Sequence, residues 1–161
     1  MTVTALLEAA RSRLRNAPRE ALGELVRPRR MLGVARAARI LPRGTAWHIG
    51  VLLLTDEDVL ATGQIVRARR EVRRGYAAES QRSRAELAAA AYRGGFAEGD
   101  AVHIGWRRLD PAVIDSGGSV EPLQSPGGVP SVRWSGAGAL MPLAAYLDER
   151  IALLLDPPAG A

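Results

Sequence analysis

The sequence contains neither lysine nor cysteine, so all 22 of its basic residues counted as lysine or arginine are arginines. Without lysine, the chain cannot form a Schiff base, a serine–lysine dyad or the phosphate-binding lysine of a P-loop. Without cysteine, it has no thiolate nucleophile, no thiolate metal site and no disulfide. Among the side chains that remain for chemistry are imidazole, carboxylate and guanidinium groups.

Aromatic residues and long apolar runs are also scarce. Aromatic residues make up 4% of the chain and hydrophobic residues 47%, so we expect an aliphatic core in which each aromatic ring is a local anchor. The apolar run at residues 49–54 fits one buried strand, and no apolar run approaches the roughly 20 residues that span a bilayer. Glu8 interrupts the apolar residues near the N-terminus, which does not fit a signal peptide. These features predict a cytoplasmic protein with no membrane partner.

The N-terminal segment, residues 1–27, is predicted to be helical. Val3, Leu7 and Leu14 recur at helical spacing, and the run stops at Pro18. Proline is favoured at the first position of a helix, so a second short helix is expected to follow and to use Leu22 and its apolar neighbours.

The rest of the chain, residues 28–161, combines strand and helix patterns. A hairpin is predicted over residues 47–67, with an acidic turn at 56–58. A long helix is expected from about residue 77 to Arg93, where two glycines end it, and a last helix begins at Pro142. Residues 110–130 are rich in glycine, serine and proline, which is typical of a lid or a disordered loop.

Together these patterns predict the α+β class. A chain of 161 residues can bury most of its surface in one core, so we expect a single domain. Its sheet would be mostly antiparallel, with about four to five strands. The long middle helix and the C-terminal helix would pack on that sheet, and the N-terminal helices would precede it.

The two histidines of the chain stand in similar settings. His48 and His103 are each followed by Ile-Gly at the start of a predicted strand, so both imidazoles could face one site. Asp100 and Glu98 lie just before His103 and could orient it as a general base. Two histidines are too few to define a metal site, and strand histidines that bond to the backbone are more common than ligands. We therefore favour a structural role and expect no metal and no cofactor.

Three residues near these histidines are candidates for contact with a ligand. Trp47 precedes His48, whereas Trp106 and Arg107 follow His103. The glycines after the histidines, Gly50 and Gly105, are expected to leave room for such a ligand because they lack a side chain.

The net charge of +5 and the calculated pI of about 10.8 suggest a nucleic-acid partner. The candidate contacts form one cluster: Arg67, Arg69, Arg70, Arg73 and Arg74. The alternative is a solvated surface, in which arginine use reflects GC-rich codons and the side-chain stems cover apolar area. We favour the solvated surface, and nucleic acid remains the second interpretation.

Four segments carry a resemblance to known proteins. Residues 46–50, 71–75, 93–96 and 142–150 resemble a small uncharacterised family from GC-rich bacteria, some members of which are labelled glutaminase. The residues do not support that label. The serine type of glutaminase needs a Ser-x-x-Lys pair and the amidotransferase type needs a cysteine nucleophile.

The sequence therefore favours a noncatalytic binding or assembly module, with a homodimer through the N-terminal or last helix as its expected partner. One alternative is a small hydrolase that uses His48 or His103 with a carboxylate. The other alternative is a nucleic-acid-binding protein that uses the arginine cluster.

Overall fold

The structure is a computed structural model of the whole chain, and it describes residues 1–29, 33, 36–71, 75 and 78–158. Within these residues, the helices are separated by runs of two to five strands. None of the helices described combines the length and the apolar character that crossing a bilayer requires.

The α-helices in the described ranges are α1 (Val3–Leu14), α2 (Glu79–Arg93), α3 (Pro111–Asp115) and α4 (Leu143–Leu155). The first six strands are β1 (Glu20–Val26), β2 (Arg39–Ile49), β3 (Leu52–Leu54), β4 (Val59–Ala61), β5 (Gln64–Arg67) and β6 (Ala101–Ile104). The remaining strands are β7 (Arg107–Leu109), β8 (Ser119–Val120), β9 (Leu123–Gln124), β10 (Ser131–Arg133) and β11 (Leu140–Pro142). A 3-10 turn, Pro126–Gly128, precedes β10.

The chain divides into two compact units, which we describe one at a time. The first unit contains Met1–Arg19, Ala46–Thr62 and Arg107–Ala161. The second unit contains Glu20–Thr45 and Gly63–Trp106. Strand β2 begins in the second unit and ends in the first.

In the first unit, four strands follow the order β2-β3-β4-β7, and all three pairings are antiparallel. The acidic turn joins β3 to β4, as the sequence predicted, and Leu54 pairs with Val59 across the two strands. A second sheet has the order β11-β10-β9-β8. The core of this unit combines apolar side chains of these strands with those of α1 and α4, including Leu7, Leu14, Trp47, Leu52, Leu54, Val132, Tyr146 and Ile151.

In the second unit, the strand order is β5-β6-β1-β2, with β2 represented by its first residues. Strand β1 runs parallel to β6, and β5 runs antiparallel to β6. Helix α2 contributes its small residues to the core, which contains Ile40, Val66, Ala68, Ala90, Ala91, Phe96, Val102 and Ile104. Small side chains permit the close approach between this helix and the strands.

The predicted α+β class is confirmed, and so is the mainly antiparallel pairing. Helices α1 and α4 lie where the periodic apolar residues placed them. The structure forms eleven strands in its described part, whereas four to five were expected. Several of these strands have only two or three residues, too few for an alternating pattern to be recognisable in the sequence. The organisation as one domain, with a boundary near residue 27, stays a prediction.

The prediction of a second N-terminal helix is wrong, because residues 20–26 form strand β1. Leu22 pairs with His103 of the parallel strand β6 and is buried. Gly23 allows close packing at this strand, since a Cβ there would lie 2.4 Å from the Ile40 side chain and 2.7 Å from that of Val102. A glycine inside a helix would instead cost about 1 kcal/mol relative to alanine.

The predicted hairpin over residues 47–67 is only partly correct. Its returning arm is divided into β4, which pairs with β3, and β5, which pairs with β6. The division falls at Gly63, where a Cβ would lie 2.3 Å from the carbonyl oxygen of Ile104. The chain can pass this close to another backbone segment only without a side chain.

Residues 110–130 form secondary structure rather than a long irregular loop. Asp110 caps α3 through a bond from Ala112 N to its carboxylate, at 3.0 Å. Strands β8 and β9 then make a short hairpin in which Val120 pairs with Leu123. A local side-chain cap and two-residue strands leave no periodic signal, which explains why the sequence suggested a loop.

Asp115 connects α3 to the start of α1 and is expected to make stability depend on pH. Burial raises the pKa of this carboxyl, but hydrogen bonds from Val3 N at 2.6 Å and from the Thr4 hydroxyl at 2.8 Å outweigh it and hold the pKa below its ordinary value. The native state therefore binds fewer protons than the unfolded state, in which an aspartate has a pKa of about 3.9. This stabilisation is complete above that value and is lost as the pH falls through the lowered pKa.

We expect the melting temperature of Asp115→Asn to fall less steeply than that of the wild type below about pH 4. Thermal unfolding followed by circular dichroism from pH 6 to pH 3 measures this difference. Parallel pH profiles for the two proteins would show that Asp115 makes no such contribution.

Candidate functional site

A cleft in the described part of the second unit lies between β5 and α2. Its cavity volume is about 850 Å³. Its lining includes five arginines and two glutamates among apolar and amide side chains. The arginines of this arginine-lined cleft are Arg67, Arg69, Arg70, Arg82 and Arg84.

Two walls of different structure hold these arginines. Strand β5 alternates between the core and the cleft, so Val66 is buried while Ile65 is 48% exposed. The segment after β5 is attached to the helix by a hydrogen bond from Arg69 N to the Ala88 carbonyl oxygen, at 3.0 Å. The opposite wall is α2, which buries Ala89 and its neighbours in the core and leaves its charged side exposed.

Two of the guanidinium groups are held in place by neutral acceptors. Arg67 donates to the Gly99 carbonyl oxygen at 3.3 Å. Arg70 donates to the Tyr92 hydroxyl at 3.0 Å, and its guanidinium carbon lies 5.5 Å from the centre of that ring. A neutral acceptor orients an arginine without cancelling its charge, so these contacts leave the positive charge available.

The two glutamates of the cleft pair with an arginine that is not part of its described lining. Glu86 and Glu71 both pair with Arg93, at 2.5 Å and 3.6 Å, and Arg93 also donates to the Ala38 carbonyl oxygen. Arg82 pairs with Glu79 at 3.1 Å on the exposed surface of α2. Among the residues that the structure describes, no carboxylate pairs with the other four arginines of the cleft. The cleft therefore carries a net positive charge.

The predicted arginine cluster is partly accounted for by this cleft. Arg67, Arg69 and Arg70 line it, whereas Arg73 and Arg74 lie outside the described residues. The predicted cluster did not include Arg82 and Arg84 of α2, which also line the cleft. Only the packing of α2 beside β5 shows that they share a cleft with the cluster.

His103 lies on β6 and is fully buried, with 0% of its side chain exposed. Its Nε2 lies 2.5 Å from a carboxylate oxygen of Glu20 on β1. The carboxylates expected beside it have other surroundings: Asp100 accepts a hydrogen bond from Ala97 N, and Glu98 is exposed in the same turn. Glu20 was missed because 83 residues separate it from His103, and only the parallel pairing of β1 with β6 joins them.

His48 belongs to the first unit, where it is partly buried on β2. Its Nε2 lies 3.0 Å from the Gly50 carbonyl oxygen. His48 and His103 thus belong to different units, and a site shared by the two histidines stays a prediction.

Gly50 does not leave room for a ligand, contrary to expectation. The position that its Cβ would occupy lies 2.1 Å from the Tyr146 hydroxyl oxygen. That hydroxyl accepts a hydrogen bond from Val51 N and donates to the Ile49 carbonyl oxygen, both at 2.8 Å. Burial raises the pKa of Tyr146, which keeps the hydroxyl protonated as a donor. Gly105, by contrast, has no described heavy atom within 4 Å of an ideal Cβ.

The two tryptophans expected to contact a ligand make anchoring contacts. Trp47 is buried, and the guanidinium carbon of Arg19 lies 3.9 Å from the centre of its ring. The same guanidinium forms a two-bond pair with Asp56, which lowers the pKa of that carboxyl. Trp106 donates from its indole to the Gly23 carbonyl oxygen at 3.1 Å. Arg107, the third candidate, lines a smaller pocket of the first unit.

Comparison with family models, with curated proteins and with solved structures finds no match. The resemblance to a family from GC-rich bacteria therefore stays a prediction, and the cleft is interpreted from its own residues.

Proposed function

We propose that this protein is a noncatalytic binding module whose arginine-lined cleft holds ligands that carry several phosphate groups. The observation that carries the proposal is the convergence of five arginines on one cavity whose two glutamates are paired with Arg93. A ligand with several negative charges would supply what the cleft lacks.

The choice of phosphate follows from the geometry of the guanidinium group. Its planar fork donates two parallel hydrogen bonds to the oxygens of a phosphate or a carboxylate. The cavity of about 850 Å³ lies within the range of small-molecule sites, roughly 300–1,000 Å³. Ile65 and Leu87 add apolar surface for an organic body, as in a nucleotide.

The composition of the lining favours binding over catalysis. Arginine stays protonated and cannot act as a general base at neutral pH. The described lining contains no histidine, serine or threonine, and its glutamates are held by Arg93. His103, which has a carboxylate partner, is fully buried and lies outside this lining.

Replacing Arg69 or Arg84 with glutamine should weaken binding of ATP about tenfold, because each substitution removes a charge-assisted hydrogen-bond donor. Isothermal titration calorimetry at 50 mM salt measures the dissociation constant. Affinity should also fall as salt rises, since added ions screen exposed charges.

The matched control is Arg43→Gln, which removes the same charge from the second unit. Arg43 lies on β2, pairs with Glu24 at 2.5 Å and does not line the cleft. It should bind ATP as the wild type does. If all three substitutions weakened ATP binding equally, the weakening would be due to the net charge of the protein and not to the cleft. Absence of ATP binding by the wild type would refute the proposal.

A single-stranded nucleic acid is a second candidate ligand, favoured by the contact between Arg70 and Tyr92. Bases stack on aromatic rings and arginines beside a positive groove. An oligonucleotide of about 12 residues that binds more tightly than ATP, with a steep salt dependence that Arg69→Gln reduces, would favour this ligand. The expected homodimer stays a separate prediction.

A further inference from the structure

A second pocket, in the first unit, has a cavity volume of about 340 Å³. It combines positive, negative, aromatic and aliphatic groups at one place. The residues that define this paired-arginine pocket are Arg107, Arg133, Glu121, Trp134, Val51 and Ala61.

The walls of the pocket are fixed by hydrogen bonds of the backbone. The turn between β8 and β9 is joined to β10 by a bond from Arg133 N to the Pro122 carbonyl oxygen, at 2.8 Å. The loop between β10 and β11 is closed by a bond from Trp134 N to the Ala139 carbonyl oxygen, at 3.3 Å. The pocket is therefore preformed, which lowers the entropic cost of binding a ligand.

Both arginines of the pocket contact the same residue. Arg107 Nη2 donates to the Glu121 carbonyl oxygen at 2.6 Å. Arg133 Nε lies 3.2 Å and 3.3 Å from the two carboxylate oxygens of Glu121, and its Nη1 donates to the Gly138 carbonyl oxygen. The Glu121 carboxylate is thus an internal anion that binds to Arg133, whereas Arg107 contacts only the backbone of Glu121.

Replacing the Glu121 carboxylate with the anionic group of a ligand would cost little stability. The Glu121 side chain is 64% exposed, and ion pairs exposed to solvent contribute little to stability. Arg107 uses one of its N–H groups on a described acceptor, and guanidinium has five to offer. The two arginines can therefore accept a small anion when the Glu121 side chain turns into solvent.

The remaining walls indicate what else that ligand carries. Trp134 is 43% exposed at the pocket, which is unusual for so large an apolar ring. Val51 and Ala61 supply aliphatic surface on the same pocket. A flat apolar body would bury these groups, and its ring could stack on the indole.

We propose that the paired-arginine pocket binds a small aromatic carboxylate. Arg107 and Arg133 hold the carboxylate in place of the Glu121 side chain, and Trp134 covers the ring. The site is independent of the phosphate cleft, because all its residues belong to the first unit.

Benzoate is the probe, and its binding is measured by ligand-observed NMR titration, with quenching of tryptophan fluorescence as a second readout. Two substitutions should act in opposite directions. Arg107→Gln should weaken binding about tenfold because it removes a charged donor. Glu121→Gln should strengthen binding several-fold, because it removes the competing anion and releases Arg133.

The control is Arg108→Gln, which removes an equal charge at the neighbouring position. Arg108 pairs with Asp58 at 2.9 Å and does not line the pocket, so benzoate should bind to this variant as to the wild type. Benzamide, which has the same ring without the charge, should bind far more weakly. Trp134→Phe should abolish most of the quenching while the NMR titration still reports binding.

Glu121→Gln keeps the test decisive even if Arg107→Gln fails to fold, since it alters one exposed side chain. Unchanged or weaker binding of benzoate to Glu121→Gln would overturn the proposal. So would equal affinity for benzamide, or failure of benzoate to bind to the wild type. None of these results bears on ATP binding in the second unit, so the two proposals fail separately.

Discussion

Gly50→Ala is expected to lower the free energy of unfolding by about 3 kcal/mol, because the new methyl group adds backbone strain to a steric clash. Gly50 has a φ of 72°, in the left-handed region. Its Cβ would lie 2.1 Å from the Tyr146 hydroxyl oxygen. The hydroxyl would have to move and would lose its hydrogen bonds to Val51 N and the Ile49 carbonyl oxygen. Urea denaturation followed by circular dichroism measures the change.

Tyr146→Phe separates these two contributions. By itself it should cost about 1–3 kcal/mol, because two backbone groups lose their partner. In the Tyr146→Phe background, alanine at position 50 should cost at least 1 kcal/mol less than in the wild type, because the hydroxyl that it meets is gone. Gly136→Ala is the control for the first unit, since no described heavy atom lies within 4 Å of its ideal Cβ. If Gly50→Ala and Tyr146→Phe lowered the free energy of unfolding by strictly additive amounts, position 50 could not contact the Tyr146 hydroxyl.

Gly94→Ala should be comparably damaging in the second unit, at about 3 kcal/mol or more, but for a steric reason alone. Gly94 ends α2 with a φ of −77°, which alanine adopts without strain. A Cβ at this position would lie 1.7 Å from the Ile40 carbonyl oxygen on β2. That oxygen belongs to the backbone, so the helix end or the strand would have to shift.

Gly75→Ala is the matched control for Gly94→Ala. It lies in the same unit, and no described heavy atom lies within 4 Å of its ideal Cβ. We expect its urea midpoint to stay within error of the wild type. If Gly94→Ala were equally stable, α2 could not end as close to Ile40 as the structure places it.

Features governed by local spacing were predictable from the sequence. The apolar side of α4, including Tyr146 and Ile151, recurs at helical spacing, and the helix begins directly after Pro142. The turn at residues 56–58 is acidic and follows a strongly apolar strand. In both cases neighbouring residues contain all the information that the element needs.

Features governed by distant partners were not predictable. Leu22 and Leu25 are spaced as in a helix, yet their segment becomes a strand because it pairs with β6 some 80 residues later. The same pairing brings Glu20 to His103. From the sequence alone, Arg82 and Arg84 resemble exposed residues of an ordinary helix. They line the cleft because α2 lies beside β5. A single sequence carries no record of which segments lie side by side.

The arginine-lined cleft has a consequence for how the protein can be regulated. Acetylation neutralises lysine but not arginine, and guanidinium keeps its proton across the physiological pH range. Neither acyl transfer to side-chain amines nor a physiological change in acidity can therefore discharge these five residues. Their attraction for anions should respond instead to ionic strength and to the concentration of competing anions.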